Sequence, residues 1–281
     1  MKPRHYFLIM LHISVLSCCE LSAQHIDWRA KLEQGYQTDT QEPLVAFLEA
    51  WHADSKPHSP DIMKIKLPVE KDVYDIYNSF FRPREEVYNS THYVEVYDRT
   101  KYVILPNKIN VTILDSDMQE EFTLEPSDRH YKRVEKLLQT RIISQVVIED
   151  FRPQVNEEAK DKIILYWQDK YIAPLLGLLT QHENPYKLLK GELYLTENAQ
   201  SQDRKKRLQY LNHTMNLVPG HWGTGWIFET YPTVTRIYVS SHGKRAIIRY
   251  RTAYYLFGEA LLEKVTDHDW EILSKKIYMV E

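Results

Sequence analysis

The chain opens on helical periodicity and ends on strand alternation. After a polar leader, Leu44, Phe47, Leu48 and Trp51 recur at helical spacing, until Pro57 and Pro60 stop the pattern. A second helix follows Pro68, with Val69, Val73, Ile76, Tyr77 and Phe80 on one face, and Pro83 ends it. Residues 93–97 read as a strand. Residues 102–105 and 109–114 flank Pro106-Asn107-Lys108 as strand, tight turn and strand. Asp128 is placed to cap a third helix carrying Tyr131, Val134 and Leu138, and residues 142–151 and 163–167 have strand composition. Residues 171–179 carry a helical stripe interrupted by Pro174.

The last third is more regular. A helix over 202–217, with the stripe Leu208, Leu211, Met215 and Val218, leads through Pro219-Gly220 into four or five strands. Residues 225–231 and 233–240 are split by Pro232. Ser241-His242-Gly243-Lys244 forms a hairpin turn in which glycine supplies the positive φ, and 245–254 runs back along its neighbour. Gly258 opens a strand to 265, Thr266-Asp267-His268-Asp269 turns, and 270–278 closes the chain. Connections this short imply an antiparallel meander. The fold class is therefore α+β: curved antiparallel sheets packed with a few helices. The expected organisation is a signal over 1–23, an N-terminal α+β region over 25–195, and helix plus meander over 196–281.

The first residues change the picture from fold to destination. Lys2 and Arg4 precede an apolar run over 6–16, then Ser17-Cys18-Cys19 and Leu21-Ser22-Ala23-Gln24. A basic head, a short apolar stretch and small residues make an export signal, too short for a stable span. Ser22-Ala23-Gln24 suits an ordinary small-residue cut, leaving a periplasmic or secreted protein. Val15-Leu16-Ser17-Cys18 instead resembles a bacterial lipobox, in which Cys18 is lipidated and anchors the chain at the envelope. Under either cut the only cysteines lie in or beside the signal, so stability must come from burial rather than an internal disulfide.

A composition of 43% hydrophobic and 12% aromatic residues excludes disorder. The balance of 36 basic to 39 acidic residues makes nucleic acid a poor partner. The exception is Arg204-Lys205-Lys206-Arg207, which reads as the solvated face of the 202–217 helix. Twenty tyrosines against eight glycines suit a closely packed β-rich body.

The helix and meander, ending in Leu262-Glu263-Lys264 and Trp270-Glu271-Ile272, resemble the nuclear transport factor two-like, or cystatin-like, superfamily. The resemblance covers about the last 80 residues. It implies a curved sheet wrapping helices around a cone-shaped pocket. Gly220-His221-Trp222-Gly223 with Trp226, and Gly258-Glu259-Ala260, are also similar to a group of uncharacterised exported Bacteroidetes-type proteins, a group that carries no function with it.

Two constellations are candidates for binding. In Gly220-His221-Trp222-Gly223-Thr224-Gly225-Trp226, followed by Glu229 and Tyr231, glycines admit close backbone approach and tryptophans offer flat apolar area. The same residues also suit a conformationally demanding lead-in to the sheet with core tryptophans. Strand register would set Glu229 and Tyr231 with Ile227, and Trp226 and Phe228 on the other face. Arg245, Arg249 and Arg251 share a strand face beside Ile247, where they could receive a carboxylate, sulfate or phosphate. The alternative is a solvated face with the charges offset by Glu259 or Glu263.

Metal chemistry has little support. His52-Ala53-Asp54, Asp115-Ser116-Asp117 and Asp267-His268-Asp269 lack zinc-like or calcium-loop spacing, so no metal site is assigned. Serine-hydrolase, zinc-protease and phosphate-loop motifs are absent from the sequence, and no cofactor is expected. Paired carboxylates such as Glu85-Glu86 point apart in a strand. The reading is an exported protein that binds a ligand or an envelope protein through the C-terminal sheet, touching a membrane only through a lipid anchor. The alternatives are a hydrolase- or isomerase-like enzyme using His221 or Glu229 as general base, and a structural envelope protein.

Export makes the first testable prediction. Mass spectrometry of the protein from its native host should show loss of at least the first 17 residues. A full-length product in the cytoplasm would contradict it.

Overall fold

The computed structural model describes residues 26–58, 68–86, 97–98, 100–116, 140–155, 162–180, 188–189, 192–194, 202–215, 218–219, 225–252 and 256–279. The first half supplies helices α1 (Trp28–Thr38), α2 (Glu42–Asp54), α3 (Pro68–Phe80) and α4 (Pro83–Glu86), then strands β1 (Tyr102–Leu105), β2 (Ile109–Leu114), β3 (Ile142–Ile148) and β4 (Ile163–Tyr166). Helix α5 (Asp169–Thr180), the short strands β5 (Leu188–Leu189) and β6 (Glu192–Tyr194), helix α6 (Gln202–Met215), and β7 (Val218–Pro219) and β8 (Gly225–Ile227) follow. The meander β9 (Thr233–Ser240), β10 (Arg245–Arg251), β11 (Leu256–Lys264) and β12 (Trp270–Met279) ends the described chain. The α+β class read from periodicity is the class observed.

The meander is antiparallel throughout, and Gly243 makes its β9–β10 turn with φ of 65°. Its sheet curls without closing and runs in the order β12-β11-β10-β9-β2-β3. The β2–β9 pair is parallel, so the sheet takes strands from both sides of the expected 195/196 boundary. The expected strand, turn and strand over 102–114 forms as elements but not as a hairpin. β1 pairs in parallel with β4, and β2 joins the larger sheet. The turn at Pro106-Asn107-Lys108 is fastened instead by Asn107 O, which accepts from Phe151 N at 2.6 Å.

Two hydrophobic cores result. One sets Val73, Tyr77 and Phe80 of α3 against Ile237, Val239, Ile248, Tyr250 and Leu262 of the six-stranded sheet. The other gathers Leu32 of α1, Phe47 and Trp51 of α2, Leu175 and Leu179 of α5, and Leu211 and Met215 of α6. The helix that precedes the meander in sequence thus packs with α5 and α2, and the helix lying on the sheet is α3.

Helix α1 falls where the sequence reads as a polar leader. Asp27 caps it through Ala30 N at 3.0 Å, and only Leu32 and Gly35 are buried, so its apolar stripe is too narrow to stand out. Helix α5 runs through Pro174 at the loss of one backbone bond, offset by burial of Tyr171, Ile172, Leu175, Leu176, Leu178 and Leu179. Of the strand expected over 93–97 only Tyr97 is described, and it is helical rather than extended; the helix expected over 131–138 lies outside the described residues. Among the described residues no helix is long and apolar enough to cross a membrane.

β10 and β11 meet closely at Tyr250 and Gly258, which lie opposite each other. A Cβ on Gly258 would collide with the Tyr250 ring, which in turn packs 4.6 Å from Phe80 of α3. Gly258 therefore lets an aromatic side chain lie over its backbone and reach the helix. Gly258→Ala is expected to cost about 1–3 kcal/mol in urea unfolding, because the buried ring has nowhere to retreat. An unchanged midpoint would show that the ring moves aside freely.

Candidate functional site

Strand alternation gives the large sheet two unlike faces. Ala246, Ile248 and Tyr250 of β10, with Ala260 and Leu262 of β11, turn into the α3 core. The opposite face carries Arg245, Ile247, Arg249 and Arg251 beside Phe257, Glu259, Leu261 and Glu263. Leu114, Tyr238, Ile247 and Leu261, with Ile142 packed against them, form a small third cluster there.

Cross-strand register decides what each arginine meets. Arg245 lies opposite Glu263, Arg249 opposite Glu259, and Arg251 opposite Phe257. Arg249 donates from Nε to Glu259 Oε1 at 2.6 Å and from Nη1 to the Tyr238 hydroxyl at 2.8 Å. Both members of this ion pair are more than nine-tenths buried, at 8% and 9% side-chain exposure. Burial raises the Tyr238 phenol above its ordinary range, and the Arg249 and Arg236 cations pull it part of the way back. Arg245 makes a looser contact with Glu263 at 3.1 Å and stays half-buried. Arg251 sits 5.4 Å over the Phe257 ring, which stacks on Tyr278 at 6.4 Å, and all three are half-buried.

The arginine row predicted from alternation is therefore on one face. Glu259 and Glu263 offset it as the alternative reading supposed, but Arg249 is buried rather than solvated. Tyr238, Phe257 and Tyr278 belong to the same surface, and sequence reasoning missed them. Their signal was the strand-to-strand register, which places Phe257 against both Arg251 and Tyr278.

The glycine and tryptophan segment is placed differently. His221 and Trp222 lie outside the described residues, as does the side chain of Trp226, whose backbone belongs to β8. Alternation does not continue through Tyr231, because β8 ends at Ile227. Phe228 turns into the helical core beside Trp167, and Thr230 fastens to β1: its N–H donates to Ile104 O at 2.9 Å, and Ile104 N donates to its Oγ1 at 3.0 Å. Glu229 is half-buried and Tyr231 buried. The Tyr77 phenol on α3 is pushed up by its burial and further by the Glu229 charge. Among the described residues, Glu229 stands between Phe228 of the helical core and Thr230 on β1, while Arg249 and Arg251 lie on the sheet face away from α3.

The short ligand-type clusters are engaged by neighbouring side chains, and Ser116 accepts from Arg141 Nη1 at 3.1 Å. Asp54 accepts from the Tyr171 hydroxyl at 2.6 Å and from Lys170, and hydrogen bonds from Lys170 and then Tyr171 hold its carboxyl below the usual range. His268, in the Thr266–Asp269 turn, faces Asp75 of α3 at 3.5 Å. Asp117 lies outside the described residues. Among the described residues no three ligand-type side chains are close enough to hold a metal ion.

In the basic run, Lys205 and Lys206 are exposed, but Arg207 is buried. It donates from Nη2 to Glu33 Oε1 at 2.8 Å, from Nε to Asp203 Oδ2 at 2.7 Å and from Nη1 to Leu178 O at 3.2 Å, tying α6 to α1 and α5. Its guanidinium also lies 4.3 Å from the centre of the Tyr36 ring. The hydrogen bond from Arg207 holds the Glu33 carboxyl below its ordinary range. Comparison with protein-family models, curated proteins and solved structures gives no match to this chain.

The Arg249–Glu259 pair generates a two-part prediction. Arg249→Ala leaves a buried carboxylate uncompensated and is expected to cost about 3–5 kcal/mol in urea unfolding. Replacing both partners, Arg249→Met with Glu259→Leu, should return stability to within about 1 kcal/mol of the parent or raise it. Equal losses from the single and double changes would show that the pair is not electrostatically coupled.

Proposed function

We propose that this chain is an exported, non-enzymatic protein that binds an anionic ligand or an acidic segment of an envelope partner on the second face of its curved sheet. The observation that carries this reading is the half-buried ledge of Arg251, Phe257 and Tyr278 at one end of that face. Arg249, deeper in the same row, is committed to Glu259 and Tyr238 and serves as a fixed foundation. Arg251 lies over the Phe257 ring, and a guanidinium is the side chain whose geometry forks onto a carboxylate, sulfate or phosphate. Stacking on an aromatic restrains the cation and lowers the entropy lost when a ligand engages it.

Export rests on the basic and apolar leader over residues 2–16, ahead of the cut at Ala23-Gln24 or at Cys18. Kinship with the cystatin-like superfamily belongs to the same proposal and is supported by an open, curled meander lying over helix α3. In that setting a ligand meets side chains projecting from regular strands, which fix their positions better than a loop does.

A thermal-shift screen of carboxylated, sulfated and phosphorylated sugars and peptides tests the assignment. A ligand at about 100 times its Kd should stabilise the native state by about 2.7 kcal/mol. Arg251→Ala should abolish that shift, read against the variant's own unliganded melting temperature. Arg245→Ala, which removes the partner of Glu263, should retain it. Absence of any anion-dependent shift, or a shift that survives Arg251→Ala, would overturn the site.

A further inference from the structure

The two ends of the six-stranded sheet are guarded unequally. Both edge strands carry a register break, at Leu273 of β12 and at Ile143 of β3, but β12 also carries Lys275 and Lys276, which discourage another strand from adding to an edge. β3, which ends the sheet on the other side among the described residues, has no lysine or proline in its seven residues, Ile142–Ile148. Its side chains alternate between half-buried and exposed, and the exposed set is Ile143, Gln145 and Val147. Ile143 is 58% and Val147 51% exposed, unusual for large β-branched residues of a sheet strand.

The sequence of this strand is complementary to itself. In antiparallel pairing about a two-fold axis at Gln145, Ile143 of one copy falls opposite Val147 of the other, and Arg141 falls opposite Glu149. Each contact occurs twice. The exposed apolar side chains meet each other, and Arg141, which donates to Ser116 Oγ at 3.1 Å in its own chain, comes to face Glu149, which pairs with Lys108 at 2.8 Å, so the bracketing charges extend existing pairs with opposite signs. Moving the axis to Ser144 would set Arg141 against Val147, and moving it to Val146 would set Ile143 against Glu149. Composition thus selects one register. The register break at Ile143 against β2 leaves Ser144 to Ile148 in regular pairing on the inner side.

We propose that β3 is a homodimerisation edge: two copies pair their β3 strands antiparallel about Gln145 and join the two six-stranded sheets into one. The occupant is a second copy rather than an unrelated strand, because the two apolar matches come from the chain's own exposed Ile143 and Val147 and the residues bracketing them carry opposite charge. The proposal is independent of the ligand assignment at Arg251. A contact limited to one strand edge falls below the roughly 1,200 Å² of a standard stable interface, so the dimer should be weak and concentration-dependent.

Sedimentation equilibrium of the purified protein tests this, with circular dichroism to confirm that each variant is folded. The parent should associate to a dimer in the micromolar to millimolar range. I143K/V147K places lysine against lysine twice and should weaken dimerisation by about tenfold or more. I143K/V147E changes the same positions but places lysine against glutamate twice, and should restore it. If the double-lysine variant fails to fold, V147K alone, which sets a lysine against Ile143 of the other copy, should still weaken the dimer. A parent that stays monomeric at about 1 mM would overturn the proposal. So would a dimer indifferent to these changes, or one that I143K/V147E fails to restore.

Discussion

Both large cores among the described residues are built on a two-stranded parallel wall that is buried on both sides. Alternation sends Val103 and Leu105 of β1, with Ile164 and Tyr166 of β4, into the core beneath the large sheet. Tyr102 and Ile104, with Ile163 and Leu165, go into the helical core. A parallel pair covered on both faces must be apolar at every position, which is why β1 reads Tyr-Val-Ile-Leu without a polar residue. Two strands alone also leave both outer edges with backbone groups to satisfy. Thr230 supplies a donor and an acceptor to Ile104 on the β1 side. On the β4 side Ser55 Oγ accepts from Tyr166 N at 3.2 Å, and Trp51 Nε1 donates to Tyr166 O at 2.8 Å. The wall therefore holds α2, the segment after β8 and both cores in one arrangement.

Charged groups are admitted to the interior only where they fix a relationship between elements. Arg207 joins three helices through two carboxylates and a carbonyl. Arg249 joins β10 to Glu259 on β11 and to Tyr238 on β9. Neither is an economical way to gain stability, since desolvation offsets most of the attraction. Each makes an alternative register expensive, because a slip would strand a buried charge. On the sheet this fixes Arg251 over Phe257, so the proposed ligand surface follows from a structural ion pair two residues away.

How much of this was legible in the sequence depended on the range of the interaction. The meander was readable because its determinants are local: Gly243 for the turn, alternation along β9 to β12, and short connections. Helices α2 and α3 were marked by wide apolar stripes and flanking prolines. α1 was not, because it buries little. The tight turn after Leu105 was read, but no local rule says that β1 passes over β2 and finds β4 some 60 residues later. Arg207 looked like one cation in a basic run, and only the distant Glu33 reveals it as buried. The arginine row was found by period two, whereas its aromatic half needed the β10–β11–β12 register, which sequence alone does not give.

The central claim is that the β1–β4 wall couples the two cores into one cooperative unit. Trp51 lies in the helical core and Trp270 in the sheet core, so fluorine NMR of the 5-fluorotryptophan-labelled protein can follow both during urea unfolding. Ile104→Ala removes a wall side chain that faces the helical core alone. The Trp51 and Trp270 native resonances are expected to vanish at one shared midpoint in the parent, and at one shared, lower midpoint in the variant. A variant in which Trp51 melts early while Trp270 keeps the parent midpoint would contradict it.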